Sequence, residues 1–386
     1  MTTSSQGLQF TFSIPTQIVF GPGSLGQLGA QAKLLGFTRP LIVTDKVMSQ
    51  GDGMQQLLAA LSGSGIRAAI WDNIAAEPVE ATLTEGVQRY RAEQCDGLIG
   101  FGGGSAMDTA KGVGVLAFAG DDDPTPYQRF GSKTVSGCVP VIAIPTTAGT
   151  GSEVTSVSVF TSRRTGHKLP IRHPSLLPRI AVVDPRLMLS LPPKVTAATG
   201  IDALSHATEC FTQVREHPFA DTLSLQAITL IVENLPAAVK NGQDEVARTN
   251  MALAATMAGT AFEVGGLQFH GYAQALGAKY GAPHGVTCGI ALRAGLAQIL
   301  PTATAKLARM APAFGIDTRG LHETQAAERA VAAAIKFISD MGIPKVGEVT
   351  PATRADIPML LKETLETTGI PLAPEVAEAM WQKIFS

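Results

Sequence analysis

Three of the chain's seven histidines stand in two short, glycine-punctuated segments of the 386-residue sequence. Asp202 and His206 lie in GIDALSHATEC, and His270 and His284 lie in FHGYAQALGAKYGAPHG. Asp202 and His206 are four residues apart, so one face of a helix carries both. His270 opens a helical stretch that Gly281 and Pro283 must end, which puts His284 at the start of the next helix. A helix N-terminus favours a neutral imidazole, and the neutral ring is the form that binds metal. If they converge, one carboxylate and three imidazoles suit Fe²⁺ or Zn²⁺ better than Mg²⁺ or Ca²⁺. Any one of these histidines alone reads as well as a hydrogen-bonded core or surface residue; the conjunction carries the metal reading.

A second chemistry is written in CDGLIGFGGGSAMDTAK, residues 95–111. A buried strand runs into three glycines, and a helix follows with Ser105 as its expected N-cap. Glycines let the backbone approach an anion, and a helix N-terminus offers free N–H groups and partial positive charge. A nucleotide phosphate fits, although a purely structural tight turn fits too. The segment lacks the GK[ST] of a P-loop, and Ser105 stands where GxGxxG needs its third glycine. Asp45 ends the strand LIVTD. There it either accepts hydrogen bonds from a ribose, favouring NAD over NADP, or simply caps a turn. It precedes the glycine loop instead of following it, so the nucleotide fold is not of the ordinary order. PTTAGTGSEVTS, residues 145–156, adds Thr146, Thr147, Thr150 and Ser152 on a second strand-end loop.

These loops need a parallel sheet to hold them. The first half alternates short apolar strands with helices, a pattern of a sheet covered on both faces. FTFSIPTQIVFG reads as an extended pair with Pro15 at an edge or bend. After LPRIAVVDPRLMLSLPPKV the strand-like runs stop and long helical segments follow, with Pro192 and Pro193 as the joint. The expected architecture is an α/β dinucleotide-binding domain with a parallel sheet at 1–189 and an all-α metal-binding domain at 190–386.

Bulk properties exclude other classes. Net charge is −2 with no basic block, so there is no electrostatic footprint for nucleic acid. No apolar run approaches the roughly 18 residues of a membrane helix. The N-terminus lacks the pattern of a signal peptide. Cys95, Cys138, Cys210 and Cys288 are scattered without CxxC, which predicts free thiols and a reducing, cytoplasmic setting.

With GFGGGSAMDTAK, PTTAGTGSE, ATGIDALSHATEC and HGYAQALGAKYGAPHG in this order, the chain resembles the iron-containing (group III) alcohol dehydrogenases. Within them it looks like the branch of lactaldehyde reductase and 1,3-propanediol dehydrogenase. The resemblance spans nearly the whole chain. It implies an NAD-dependent enzyme that interconverts a small alcohol and its aldehyde or ketone, with a cleft between the domains. It assigns Asp202, His206, His270 and His284 to Fe²⁺ (or Zn²⁺), and Gly102, Gly103, Gly104 and Ser105 to the pyrophosphate. Asp108, Thr146, Thr147 and Thr150 would line the cofactor, Lys168 would reach a ribose, and Asp45 would select NAD. Gln274 and Phe262 are the expected catalytic residues, Gln274 near the nicotinamide, where a glutamine cannot relay a proton by titrating, and Phe262 in the substrate pocket. A homodimer paired through the N-terminal strands is implied as well. The chain departs from the family pattern at Gln274, where many relatives carry a histidine, and at Glu77, where asparagine is common. A related oxo-acid reductase of the maleylacetate type and a dehydroquinate-synthase-like lyase are the alternative activities.

Overall fold

The computed structural model describes residues 9–75, 77–163, 166–213, 216–367 and 373–386. Its six-stranded sheet is built from β1 (Gln17–Phe20), β2 (Pro40–Val43), β3 (Ala69–Trp71), β4 (Gly97–Gly102), β5 (Val141–Pro145) and β8 (Ile180–Val183). The strand order is β1-β8-β5-β4-β2-β3, and every pairing is parallel. β6 (Val157–Thr161) and β7 (Lys168–Arg172) form a separate antiparallel hairpin.

Alternation along β2 divides the core. Leu41 and Val43 face one apolar cluster with Leu98, and Ile42 faces another with Ile99 and Ile142. α1 (Leu28–Leu34) and α3 (Asp52–Ser62) cover the Ile42 side, with the one-turn α2 (Lys46–Ser49) between them in sequence. α4 (Glu80–Ala92) and α5 (Gly104–Ala119) cover the Leu41 side. Each fully buried Leu, Ile or Val contributes roughly 1.5–3 kcal/mol, which is why strands this short persist.

Only part of the expected N-terminal extended pair forms. Gln17–Phe20 joins β8, and no strand is assigned to residues 9–15. Pro15 has no N–H to give a ladder. Instead, Phe10 lies 4.7 Å from the His217 ring and Phe12 stacks at 4.5 Å on Phe219.

From residue 193 onward, the secondary structure among the described residues is helical: α6 (Pro193–Phe211), α7 (Pro218–Lys240), α8 (Glu245–Gly265), α9 (His270–Tyr280), α10 (His284–Ile299), α11 (Thr304–Met310), α12 (Glu323–Asp340), α13 (Val346–Val349), α14 (Ile357–Thr367) and α15 (Pro374–Ile384). Pro193 at the first position of α6 costs no hydrogen bond, because that N–H has no intrahelical partner anyway. α7 is long and apolar enough by composition to cross a membrane. In this fold its Ile228, Ile231 and Leu235 pack into the core of the helical half. The two halves touch at the main chain: a Cβ on Gly259 of α8 would lie 2.7 Å from the Cα of Gly151 in the loop after β5.

Candidate functional site

α6 places Asp202 and His206 on one buried face, at 2% and 3% exposure. Asp202 Oδ1 lies 3.7 Å from His206 Nε2, 3.6 Å from His270 Nε2 and 3.8 Å from His284 Nε2. His270 Nε2 is 3.2 Å from His206 Nε2 and 3.1 Å from His284 Nε2. Among the described residues, Asp202 Oδ1 has no hydrogen-bond partner. A buried oxygen left so costs about 1–3 kcal/mol. With metal–ligand distances of about 2.0–2.1 Å, tetrahedral donors stand about 3.4 Å apart. These residues therefore fit one divalent cation, which would satisfy the orphaned carboxylate oxygen.

The electrostatics agree. Burial pushes His206 down to about 4, against the pull of Asp202, and His284 down to about 3. Both rings are neutral at neutral pH, with lone pairs available. Burial also opposes charge on His270, but the Glu209 carboxylate outweighs it and raises its pKa. Asp202 is held below the ordinary carboxylate value despite its burial, chiefly by His206.

Glu209 was not among the residues anticipated from sequence. Its Oε1 accepts from Ser205 Oγ at 2.6 Å and faces His270 Nδ1 at 3.0 Å. Its Oε2 accepts from Gln268 N at 2.8 Å, from His270 N at 3.0 Å and from Phe269 N between them. With Nδ1–H donated to Glu209, His270 turns the lone pair of Nε2 toward Asp202. Glu209 is three residues past His206, so helical phase was the signal that could have found it. On the far side, Gly285 brings the start of α10 against α6: a Cβ there would sit 2.2 Å from the Ala198 carbonyl oxygen. That close approach sets His284 beside Asp202. Cys288, one turn along α10, places Sγ 3.6 Å from both His270 Nε2 and His284 Nε2.

At the sheet end, Gly102 leaves β4 at φ 146° and Gly103 caps α5 in extended conformation. The cap is not Ser105, which lies in the first turn. The reason is space. A Cβ on Gly104 would meet Thr150 Cγ2 at 2.8 Å, and one on Gly103 would meet Thr147 at 3.6 Å. The loop after β5 is thus pressed against the glycine loop, and Thr146 N donates to Gly102 O at 2.9 Å. Asp45 caps α2, accepting from Val47 N and Met48 N through Oδ1. Asp108 accepts from Ser152 Oγ at 2.5 Å and Val159 N at 3.0 Å. Lys111, fully buried, bonds Ser152 Oγ and the carbonyls of Thr155 and Val157, tying the second loop to α5.

A cleft of about 720 Å³ joins the two ends. Gly104, Ser105, Asp108, Thr150 and Lys168 line one side, and Asp202, His206, His270 and His284 line the other. Phe262 and Gln274 also face the cleft, with the Phe262 ring 4.5 Å from that of His206. Asp45, Gly102, Gly103, Thr146 and Thr147 stand at the strand ends, with Thr146 Oγ1 4.0 Å from Met48 Sδ. Lys168 pairs with Glu77 at 2.5 Å, so the residue that departs from the family pattern holds the Lys168 ammonium in this structure. The hairpin carrying Lys168 was not anticipated either; it brings Arg172 to the same wall, and Pro170 O accepts from Arg129 N at 2.8 Å, which sets Arg129 beside it.

The chain matches two family models, iron-containing alcohol dehydrogenase over residues 15–185 and the C-terminal region of that family over residues 196–380. It is 36% identical over 367 residues to the NAD-dependent methanol dehydrogenase of Bacillus methanolicus, covering 95% of this chain and 96% of that one. It is 37% identical over 361 residues to the 1,3-propanediol dehydrogenase of Klebsiella pneumoniae, covering 92% of each. A crystal structure of 1,3-propanediol oxidoreductase superposes with a TM-score of 0.91 at 34% identity, covering 97% of this chain and 100% of the other. Four clustered metal-type donors facing a glycine-loop cleft, on a chain matched along nearly its whole length, place it in the iron-containing alcohol dehydrogenase family, whose chemistry is the interconversion of alcohols and carbonyl compounds.

Proposed function

We propose that this protein is an NAD(H)-dependent, metal-assisted oxidoreductase interconverting a small alcohol with its aldehyde or ketone. The observation that carries the reading is the buried, unpartnered Asp202 Oδ1, ringed by three histidine Nε2 atoms at 3.6–3.8 Å. Asp202, His206, His270 and His284 would hold Fe²⁺, with Zn²⁺ allowed by the same donors. When bound, such a cation would supply Lewis-acid polarisation of the substrate oxygen. NAD supplies the hydride acceptor.

The chain's own residues do the rest. Gly102, Gly103, Gly104 and Ser105 bring the N-terminus of α5 to the pyrophosphate, while Asp108 and Lys111 hold the Thr146–Thr147–Thr150 loop against it. Asp45 and Lys168 serve the riboses, Lys168 after release from Glu77. Phe262 shields His206 from water, and Gln274 orients the substrate by hydrogen bonding without titrating. The division at 1–189 and 190–386 is supported by the last sheet strand ending at Val183 and α6 beginning at Pro193. A homodimer is supported by the half-exposed β1 at the sheet edge, with Ile18 outward. Four free, buried cysteines support a reducing cytoplasm. A second reading, reduction of an oxo-acid, draws on Arg129 and Arg172 in the cleft wall. The test is NAD⁺ reduction with short alcohols and diols, and NADH oxidation with aldehydes and oxo-acids, on protein of measured iron and zinc content. Turnover of neutral substrates is expected. No turnover by metal-loaded protein overturns the reading, and turnover confined to oxo-acids installs the second.

A further inference from the structure

Resting on the metal reading above, we infer that Cys288 is a thiolate donor to the same cation, so that two overlapping four-donor sets share Asp202, His270 and His284. Cys288 is four residues past His284 on α10, so its thiol projects from the same helical face. Its Sγ lies 3.6 Å from the Nε2 of both His270 and His284. The donor atoms of Asp202, His270, His284 and Cys288 all fall within 4.8 Å of one another. A metal with bonds of about 2.1 Å to nitrogen and 2.3 Å to sulfur separates the two donors by about 3.6 Å at a tetrahedral angle.

A buried cysteine usually packs as a small apolar group with its S–H on a carbonyl. Two others in this chain do so: Cys210 Sγ meets the Ala261 carbonyl at 3.3 Å, and Cys138 Sγ meets the Val139 carbonyl at 3.3 Å. Cys288 has ring nitrogens of the ligand histidines as neighbours, and its thiol is hydrogen-bonded to the Asp202 carboxylate of the same donor set. On coordination the S–H bond is replaced by an S–metal bond and the proton passes to water. His206 completes the other set, touching His270 at 3.2 Å and Asp202 at 3.7 Å. A thiolate softens the centre, so the chain favours zinc or cobalt over iron more than an all-N/O site does.

The experiment is the absorption spectrum of the full-length protein loaded with Co²⁺, with bound cobalt measured. A thiolate-to-cobalt charge-transfer band in the near ultraviolet is expected in the wild type. It should vanish in Cys288→Ala and Cys288→Ser, which keep visible d–d bands, and persist in His206→Ala. Zn²⁺ affinity should fall by at least about 10- to 100-fold in Cys288→Ala, the loss that follows removal of even an outer partner of a metal ligand, with a smaller change for Fe²⁺. Cobalt bound with d–d bands but no charge-transfer band in the wild type overturns the assignment while leaving the metal site standing. A band that survives in Cys288→Ala does the same. If the variants fail to fold, the wild-type spectrum alone decides. Cobalt that does not bind at all sinks the metal reading and this inference together.

Discussion

The two ends of the cleft are built from opposite materials. At the metal end the working groups are side chains, buried at the cost of an unpartnered carboxylate oxygen and two imidazoles held neutral. At the sheet end the proposed working group is the main chain, bared by the absence of side chains at Gly102, Gly103 and Gly104 and squeezed by Thr150. The charged side chains there are occupied by protein partners: Asp45 with a helix cap, Asp108 with Ser152 and Val159, Lys168 with Glu77. Function at one end depends on which residues are present, and at the other on what is missing.

That contrast is open to attack. The largest effect should come from Asp202→Asn, which keeps the shape but removes the negative charge at the centre of the donor set. Bound metal should fall to a trace and kcat/KM by about 10³-fold or more, equivalent to about 4 kcal/mol. Retained metal and activity would show that the side-chain end is more forgiving than described. Glu209→Gln should act next. It keeps the hydrogen bonds partly but not the charge, so His270 loses its anchor, and metal affinity should drop about 10- to 100-fold by titration while NADH affinity holds.

Gly104→Ala attacks the other end. Its methyl meets Thr150 at 2.8 Å, and overpacking of this kind costs about 1–3 kcal/mol. The dissociation constant for NADH should rise roughly tenfold with metal content unchanged. A simultaneous loss of metal would mean the two ends are not separable.

The smallest effect is a pH dependence of the metal-free protein. His284 is held near 3 against an ordinary 6.5, so between those values the unfolded chain binds a proton that the folded chain refuses. Stability from this site is complete above pH 6.5 and is lost as the pH falls toward 3. In metal-free samples, the wild-type Tm should decline more steeply over that window than that of His284→Asn. Equal slopes would remove His284 from the set of buried, neutral rings.

The same contrast explains what could be read from sequence. Asp202, His206, His270 and His284 were legible because histidine is scarce and the spacing matches a helical face. The parallel sheet was legible because strands such as PLIV and IAVV are continuous apolar runs, the mark of burial on both faces. Glu209 was not, because one glutamate among many gains meaning only from the backbone amides that converge on it. Nor was the hairpin β6–β7: VSVFT and KLPIR are short, partly polar and separated by a turn, and Pro170 argues against a strand until an edge is available for it. The cap at Gly103 instead of Ser105 was hidden because the neighbour that fills the space, Thr150, lies in another loop.

The contact of Gly151 with Gly259 has a consequence for how such an enzyme can change its substrate. The span from the sheet-end loop to the metal-bearing helices is ruled by two stretches of main chain in touch, with no side chain between them to exchange. A substitution on the cleft wall, at Val157 for example, leaves that span unaltered. A lineage can therefore trade one alcohol for another while the working distance stays fixed, and a single methyl at either glycine would be the change that it cannot absorb.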